Sequence, residues 1–288
     1  MVQSGSTLRR ILVSRGLVDP AAPWNALSGG RTNNLWRIGS GGRAIVCKLF
    51  SPNQDSPLFP NLPEAEASVL KHLWPTGMVP KFLDMQETAL GLVMLYQYVE
   101  GTNWQRDVVA AGELLARLHN EAPSGLGLPR IDRDAVEKDL LSGLHPNQRI
   151  AFAEARSLPP PPPKDLVLLH GDPVPANIIV TQHRPVLIDW QCPRLGDPLD
   201  DIAVFLSPAM QTLYGGHVLS EPAIVRFLNA YGNATVAERY WKYKTYFHWR
   251  MALHCAWKMR NGSPDYAPAL ERELKAMQIS AQPTGRSG

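Results

Sequence analysis

The sequence predicts an α+β fold in which a small antiparallel sheet precedes a mostly helical C-terminal part. Up to residue 100, short apolar runs alternate with turn residues, a pattern typical of strands. After Glu100-Gly101 the apolar residues recur at helical spacing, most clearly in VVAAGELLARLH at residues 108–119. The chain has 288 residues, which suits one large domain or two smaller ones. We expect two units, residues 1–100 and residues 101–288.

The first unit is predicted to contain a helix and a small sheet with a second helix inserted. Apolar runs flank the turn Gly39-Ser40-Gly41-Gly42, which is a hairpin signal. Pro63 and Pro75 bound a helical stretch, as prolines often do. The predicted elements are a helix over 8–18, strands over 35–38 and 44–50, a helix over 64–74, and strands over 78–83 and 91–99.

The second unit is predicted to be mostly helical. Residues 121–165 are weakly patterned and end in the prolines at 159–163, which favour a stiff connector. Short strands are expected around residues 166–183 and helices over about 198–277. The tail SAQPTGRSG has a composition typical of disorder.

Composition and charge argue against several classes of function. The 29 Lys+Arg and 26 Asp+Glu leave a net charge of +3, and no basic run marks a nucleic-acid surface. The most apolar stretch, residues 89–99, is about half as long as a membrane span. The N-terminus lacks a signal-peptide core, and the 3 cysteines are far apart, which fits a reducing compartment. We expect a cytoplasmic protein without nucleic-acid or membrane partners, and the sequence does not indicate its oligomeric state.

Residues 178–188, IIVTQHRPVLI, contain two apolar runs that predict a short hairpin. Pairing Thr181 with Pro185 would place Asn177 opposite Asp189 at the open end of the ribbon. A carboxylate and an amide held side by side supply oxygen ligands for a hard cation such as Mg²⁺.

Asp172 adds a second carboxylate near the same end of the hairpin. It precedes Asn177 in a loop that Pro173 and Pro175 stiffen. A metal-held phosphate beside a free carboxylate is what phosphoryl transfer to a hydroxyl requires. Asp172 and Asn177 are also common turn residues, but their spacing relative to Asp189 favours the catalytic interpretation.

Two features of the first unit suit a phosphate group. Gly29 and Gly30 are adjacent, which allows backbone N–H groups to approach an anion, although a plain turn is the alternative. Lys48 stands mid-strand between apolar neighbours, which favours a buried side chain. A buried lysine needs an anionic partner. Glu64, Glu66 and a nucleotide phosphate are candidate partners, and a solvent-facing lysine is the alternative.

Motifs in the second unit resemble those of the aminoglycoside phosphotransferase/choline kinase family. They are HGDxxxxN at residues 170–177, IDW at 188–190, GDP at 196–198, and Asp201. The resemblance covers roughly residues 24–260 and implies a protein-kinase-like fold with a strand-rich ATP lobe, a hinge and a mostly helical lobe. It also implies ATP and Mg²⁺ as cofactors and a small-molecule hydroxyl as the acceptor.

The resemblance implies a role for each residue that matches the family pattern. Asp172 corresponds to the catalytic acid–base, and Asn177 and Asp189 correspond to the magnesium ligands. Lys48 corresponds to the lysine that holds the α- and β-phosphates, with Glu66 as its ion-pair partner. The remaining assignments are Gly29 and Gly30 near the phosphates, the backbone of Gln97 and Tyr98 at the adenine, His119 and Asp201 as braces of the catalytic loop, and Gln191 where an acid is common.

The aromatic-rich stretch at residues 240–257 bears on the acceptor. On a helix its aromatic side chains form two stripes, of which one can enter the core and the other could line a pocket. Aromatic walls suit a quaternary ammonium through cation–π contact, which favours a choline-like amino alcohol. Burial of both stripes in the core is the alternative. Basic residues in the same stretch disfavour an aminoglycoside and would equally suit a sugar or a carboxylated acceptor such as an amino acid.

Two other classes of function fit part of the pattern. A metallohydrolase could use His170 and Asp172 together with Asp189, Asp197 or His183 as ligands. It leaves Lys48, the glycine pair and Asn177 without a role. A non-catalytic nucleotide-binding module is the other alternative, and the complete set of catalytic residue types argues against it.

Overall fold

The computed structural model describes residues 2–27, 32–51 and 56–281, and near the N-terminus it contains a sheet of five antiparallel strands. Helix α1 packs on one face of this sheet through Leu8 and Leu12, and helix α2 covers the other face. The strand order is β1-β2-β3-β5-β4, which places β3 in the middle. The bounds are α1 Val2–Ser14, β1 Trp24–Ala26, β2 Asn34–Ile38, β3 Ile45–Leu49, α2 Pro63–Leu73, β4 Phe82–Thr88 and β5 Gly91–Gln97.

The sequence prediction is wrong at three places in this region. β1 was not predicted, because three residues are too few to show a period of two. The strand expected over 78–83 lies at 82–88, since the carbonyl of Met78 accepts the N–H of Leu187 at 2.8 Å instead of joining the sheet. The helix expected over 8–18 ends at Ser14, because Gly16, with a φ of 69°, terminates it.

Helices dominate from residue 108 onward, as predicted. α3 has the predicted bounds, Val108–His119, and Asp107 caps its N-terminus by accepting the N–H of Ala110. Five later helices fill the region predicted to be helical, and the last of them runs to Ala281, so that residues 282–288 of the predicted disordered tail lie outside the described residues. The bounds are α6 Pro198–Leu206, α7 Pro208–Tyr214, α8 Glu221–Tyr231, α9 Ala234–Arg260 and α10 Ala267–Ala281.

Two further helices, α4 (Arg133–Ser142) and α5 (Pro146–Glu154), lie in the weakly patterned stretch and were missed. α5 buries none of its side chains, and α4 buries only Glu137 and Leu140. Helices that bury so little carry no apolar stripe, which explains why periodicity did not predict them.

Short strands connect the helical part to the segment that follows β5. β6 (Thr102–Asn103) pairs with β8 (Ile178–Val180), which pairs with β9 (Pro185–Leu187). β7 (Val167–Leu169) pairs with β10 (Arg194–Gly196). One continuous apolar core runs from the α2 side of the first sheet into the helices, so the division at residue 100 stays a prediction.

The β8–β9 hairpin forms, but its register differs from the predicted one by one residue. Val180, not Thr181, pairs with Pro185. The turn is longer than expected because the Thr181 hydroxyl accepts the N–H groups of His183 and Arg184, at 3.1 and 3.2 Å. Residue 177 therefore lies opposite Ile188 instead of Asp189.

Within the described part of the chain, no helix is both long enough and apolar enough to cross a membrane.

Candidate active site

The loop between β7 and β8 carries HGDxxxxN and is held by one buried carboxylate. Asp201, on α6, is fully buried and accepts the N–H groups of His170 and Gly171, each at 2.8 Å. His119 Nε2 lies 3.1 Å from the same carboxylate. Because two successive backbone N–H groups bind one buried side chain, Asp201 fixes the backbone just before Asp172.

Gly171 is required by a close approach of two backbone segments. Its φ is 87°, a conformation that side chains disfavour. A Cβ at this position would lie only 2.1 Å from the carbonyl oxygen of Cys192. The glycine therefore lets the loop pack against the segment that follows Asp189.

His170 supports the loop and is not placed as a metal ligand. Its Nδ1 accepts the N–H of Asp172 at 3.2 Å, and its Nε2 donates to the carbonyl of Ile188 at 3.0 Å. Burial lowers the pKa of His170, which keeps the ring neutral. Because both ring nitrogens are engaged, the His170-x-Asp172 pair does not form the metallohydrolase site considered above.

Asp172 and Asn177 lie together at the end of the loop. The Asn177 amide donates to the carbonyl of Asp172 at 2.9 Å and lies 3.4 Å from its carboxylate. Burial, together with repulsion from Asp189 and Asp201, raises the pKa of Asp172 to about 7. Such a carboxylate can accept a proton near neutral pH.

Asp189 follows β9 and connects this loop to the N-terminal sheet. Its φ of 58° turns the chain out of the strand direction. Its Oδ1 lies 2.6 Å from Lys48 Nζ, and its side chain is 22% exposed. One oxygen thus pairs with the lysine while the carboxylate stays accessible to a ligand.

Lys48 also pairs with Glu66, on α2. The lysine is fully buried, and its Nζ lies 2.9 and 2.7 Å from the two carboxylate oxygens of Glu66, whereas Glu64 is exposed. Burial alone lowers the pKa of Lys48, but attraction to Asp189 and Glu66 outweighs it and raises the pKa. The lysine therefore stays charged between two carboxylates.

The remaining predicted binding residues are the segment after β5, expected at the adenine, and the glycine pair, expected near the phosphates. The N–H groups of Gln97 and Tyr98 donate to the carbonyls of Lys81 and Ala44, at 2.8 and 2.9 Å. These two N–H groups are therefore engaged within the protein, and the expected backbone contact of this segment with adenine stays a prediction. Gly29 and Gly30 lie between β1 and β2 in the sequence, outside the described residues.

The oxygen donors fit the magnesium ion that the resemblance implies. The Asn177 nitrogen is tied to Asp172, which leaves the amide oxygen to act as a ligand, and the Asp189 carboxylate is accessible. Two such oxygens, completed by phosphate oxygens and water, are a usual Mg²⁺ set. The described residues contain no cluster of three His, Cys, Asp or Glu side chains that could hold a metal alone, so this set depends on the phosphates.

Sequence reasoning missed a group of amides that joins the N-terminal sheet to the segment after Asp189. Asn33 donates to Gln191 Oε1 at 3.3 Å and to Asn61 at 3.2 Å, and Asn61 donates back at 2.9 Å. Gln191, noted as a departure from the family pattern, is 5% exposed and takes part in this contact. No sequence signal links these three distant amides.

The aromatic stretch at residues 240–257 lies in α9 and is largely core. Tyr246 and Trp249 are fully buried, and Tyr240 and Phe247 are 2% and 4% exposed. Trp249 Nε1 donates to the carbonyl of Phe152 on α5 at 2.8 Å. Most of these rings therefore hold helices together instead of forming an acceptor wall.

With this geometry in place, comparison with known proteins defines the class of the chain. Residues 23–242 match the phosphotransferase enzyme family, which is most of the chain. The protein belongs to this family and is a phosphotransferase, as the sequence motifs predicted. No curated protein matches the sequence significantly.

Solved structures confirm the α+β, protein-kinase-like fold class. A choline/ethanolamine kinase family protein from Mesorhizobium loti superposes with a TM-score of 0.69 at 20% identity, over 97% of this chain and 95% of that one. Choline kinase LicA from Streptococcus pneumoniae gives 0.68 at 18% identity, over 96% and 99%. Aminoglycoside phosphotransferase APH(4)-Ia, bound to AMP-PNP and hygromycin B, gives 0.70 at 14% identity, over 96% and 100%.

Proposed function

We propose that this phosphotransferase uses ATP and Mg²⁺ to phosphorylate a hydroxyl group of a small acceptor, with Asp172 as the catalytic residue. The convergence of the Asp172–Asn177 pair and the Lys48–Asp189 pair carries this proposal. It brings together a proton acceptor, two oxygen ligands and a buried cation, which phosphoryl transfer needs. Complexes of similar enzymes with ADP and AMP-PNP support ATP as the donor.

Each side chain has one task in this proposal. Mg²⁺, when bound with ATP, neutralises charge on the phosphates. Asn177 and Asp189 would hold the ion, and Lys48 would hold the α- and β-phosphates. Glu66 fixes the lysine in place, and Gly29 and Gly30 would bring backbone N–H groups to the phosphates.

Asp172 would orient the acceptor hydroxyl in line with the transferred phosphate and take its proton. Its raised pKa, about 7, makes it a suitable base at neutral pH. Catalysis then rests mainly on positioning and on charge neutralisation.

Adenine would lie against the segment after β5. Since the N–H groups of Gln97 and Tyr98 are engaged, the ring would meet carbonyl oxygens of this segment or N–H groups from Val99 onward. A cytoplasmic location, the two-unit division and the absence of nucleic-acid and membrane partners stay predictions from the sequence.

The preference for a choline-like acceptor rested on the aromatic stripes of α9. The burial of these rings removes that support, although choline kinases remain among the similar structures. The residues that line the cavity beside Asp172 therefore bear more directly on the class of acceptor.

Replacing the catalytic carboxylate tests the proposed function. Asp172→Asn preserves the shape but cannot take the proton, so we expect kcat for acceptor-dependent ADP release to fall about 100-fold or more. Thermal stabilisation by Mg·ATP should be kept. Asp139→Asn, at an exposed position on α4, is the matched control and should retain full activity. Undiminished turnover by Asp172→Asn would refute the assignment.

A further inference from the structure

A small cavity of about 30 Å³ opens beside Asp172. Its wall combines Gln191, which follows the Asp189-Trp190 pair, with side chains from α7, from α9 and from the short helical turn before α10. The α9 residues in the wall are His254 and Lys258. The hydroxyl end of an acceptor would lie in a cavity next to the proposed base, so the lining residues bear on which acceptor fits.

His254 is a buried polar group in this wall. It is 2% exposed, and its Nδ1 has no hydrogen-bond partner among the residues that the structure describes. Its ring contacts Phe59 edge-on, with ring centroids 4.9 Å apart, and Tyr266, at 5.8 Å. A buried polar atom without a partner is costly unless a ligand supplies one.

Lys258 stands one helical turn after His254, so both side chains lie on the same face of α9. Burial and the charge of Lys258 lower the pKa of His254 to about 3, which keeps the ring neutral. A neutral imidazole can still donate one N–H, and the ammonium group of Lys258 supplies positive charge.

The charges of the cavity disfavour a cationic acceptor. Asp172 is the only carboxylate among the described lining residues, and it is the group that must receive the hydroxyl proton. A quaternary ammonium or an aminoglycoside would lie near the ammonium group of Lys258 and would meet no carboxylate besides Asp172 among the described lining residues. An anionic group would instead be attracted to the lysine and could accept a hydrogen bond from His254.

On the basis of the proposed function, we propose that the acceptor is a small hydroxy compound with a carboxylate or similar anionic group, which Lys258 and His254 hold while the hydroxyl faces Asp172. Phosphoryl transfer then moves the γ-phosphoryl group of ATP to that hydroxyl, the hydroxyl proton passes to Asp172, and ADP leaves. Lys258 and His254 act as specificity-determining residues.

Matched acceptor pairs test this proposal in an ADP-release assay. Glycerate is compared with glycerol, and homoserine with 2-amino-1,4-butanediol, so that each pair differs by the carboxylate. Choline and ethanolamine represent cationic acceptors. We expect kcat/KM for at least one carboxylate to exceed that of its uncharged counterpart, and of both cations, by about tenfold or more, as loss of one charge-assisted contact implies.

Variants at the cavity assign the effect to residues. Lys258→Met should raise KM for the carboxylate about tenfold, whereas Lys258→Arg should largely keep it, and KM for ATP should not change in either. His254→Phe, which removes both ring nitrogens, should also raise KM for the carboxylate. Lys242→Met, at an exposed position on the same helix, should leave all constants unchanged.

Two results overturn the proposal and are distinguishable. ADP release with choline, ethanolamine or uncharged acceptors only, or an unaffected KM in Lys258→Met, refutes the anionic acceptor and leaves the kinase function standing. Absence of ADP release with every acceptor, together with no thermal shift on addition of Mg·ATP, refutes the kinase function and the acceptor class with it.

Discussion

Lys48 illustrates how far residue-level reasoning reaches in this protein. Its apolar neighbours on β3 predicted a buried lysine with an anionic partner, and the structure buries it fully against Glu66 and Asp189. The residues alone did not distinguish Glu64 from Glu66, and only the family resemblance favoured Glu66. The contact with Asp189 depends on where β9 ends, which local sequence does not determine.

Removal of the lysine charge should cost both stability and nucleotide binding. Lys48→Met leaves two carboxylates without their cation, so the free energy of unfolding should fall by about 3–5 kcal/mol. KM for ATP should rise about tenfold or more, since the phosphates lose a charged contact. Urea denaturation and initial-rate kinetics measure the two effects.

A double variant separates the two effects. Lys48→Met combined with Glu66→Gln removes one of the uncompensated carboxylates, so part of the lost stability should return while KM for ATP stays high. Glu64→Gln is the control, because Glu64 is exposed and should contribute little. A stable Lys48→Met protein with normal KM for ATP would contradict the role of this residue.

At the scale of elements, the hairpin shows why register escapes sequence reasoning. Both strands were predicted, but the hydroxyl of Thr181 organises a four-residue turn and shifts the pairing by one residue. A shift of one residue exchanges the faces of a strand. Asp189 nevertheless reaches Lys48, because its φ of 58° redirects the chain after β9. The sequence predicted Asn177 opposite Asp189, whereas the observed register places Ile188 there, and the contact between Asp189 and Lys48 was not predicted.

α9 shows a different limit of the sequence pattern. Two aromatic stripes on one helix are compatible with a core and with a pocket wall, since both environments favour aromatic rings. Their burial depends on α4 and α5, which lack apolar periodicity and were not predicted. Tyr246, for example, donates its hydroxyl hydrogen to Glu137 on α4 at 2.5 Å.

The burial of α9 predicts that its central rings affect stability and not acceptor binding. Trp249→Phe removes a hydrogen bond to Phe152 and leaves unfilled volume, so the free energy of unfolding should fall by about 1–3 kcal/mol. KM for the acceptor should stay within about twofold, because Trp249 is buried in the core and does not line the cavity beside Asp172. Chemical denaturation and kinetics on the same preparation check both.

Trp74→Phe provides the matched control, since Trp74 is 41% exposed and its replacement should change stability by less than about 0.5 kcal/mol. A large increase in KM for the acceptor in Trp249→Phe, with stability unchanged, would restore the interpretation of α9 as an acceptor wall.

For the whole molecule, the candidate site exists only when distant parts of the chain fold together. β3 and α2 supply Lys48 and Glu66, and the loops around β8 and β9 supply the other three side chains. One apolar core extends through both regions, so packing and site assembly are coupled. The order of strand-like and helical patterns along the chain predicted the class of fold. The cavity beside Asp172 could not be predicted in this way, because the segments that line it become neighbours only when the helices pack.

The free energy of unfolding should depend on pH because the imidazole of His254 is buried in the wall of this cavity. The pKa of His254 is lowered to about 3 in the folded protein and lies near 6.5 in an unfolded chain. Below pH 6.5 the unfolded state takes up a proton that the folded state does not, so the contribution of His254 to stability is complete above pH 6.5 and decreases as the pH falls. At pH 5 the loss should be about 2 kcal/mol relative to pH 8.

Comparison with His254→Asn isolates this contribution, because asparagine does not titrate. The difference in unfolding free energy, wild type minus variant, should decrease by about 2 kcal/mol between pH 8 and pH 5. Asp172, whose pKa is raised, contributes in the opposite direction, but it is present in both proteins and cancels in the difference. His183→Asn, at an exposed position, should show no such change. Parallel pH profiles for wild type and His254→Asn would mean that His254 is protonated as readily in the folded protein as in the unfolded chain.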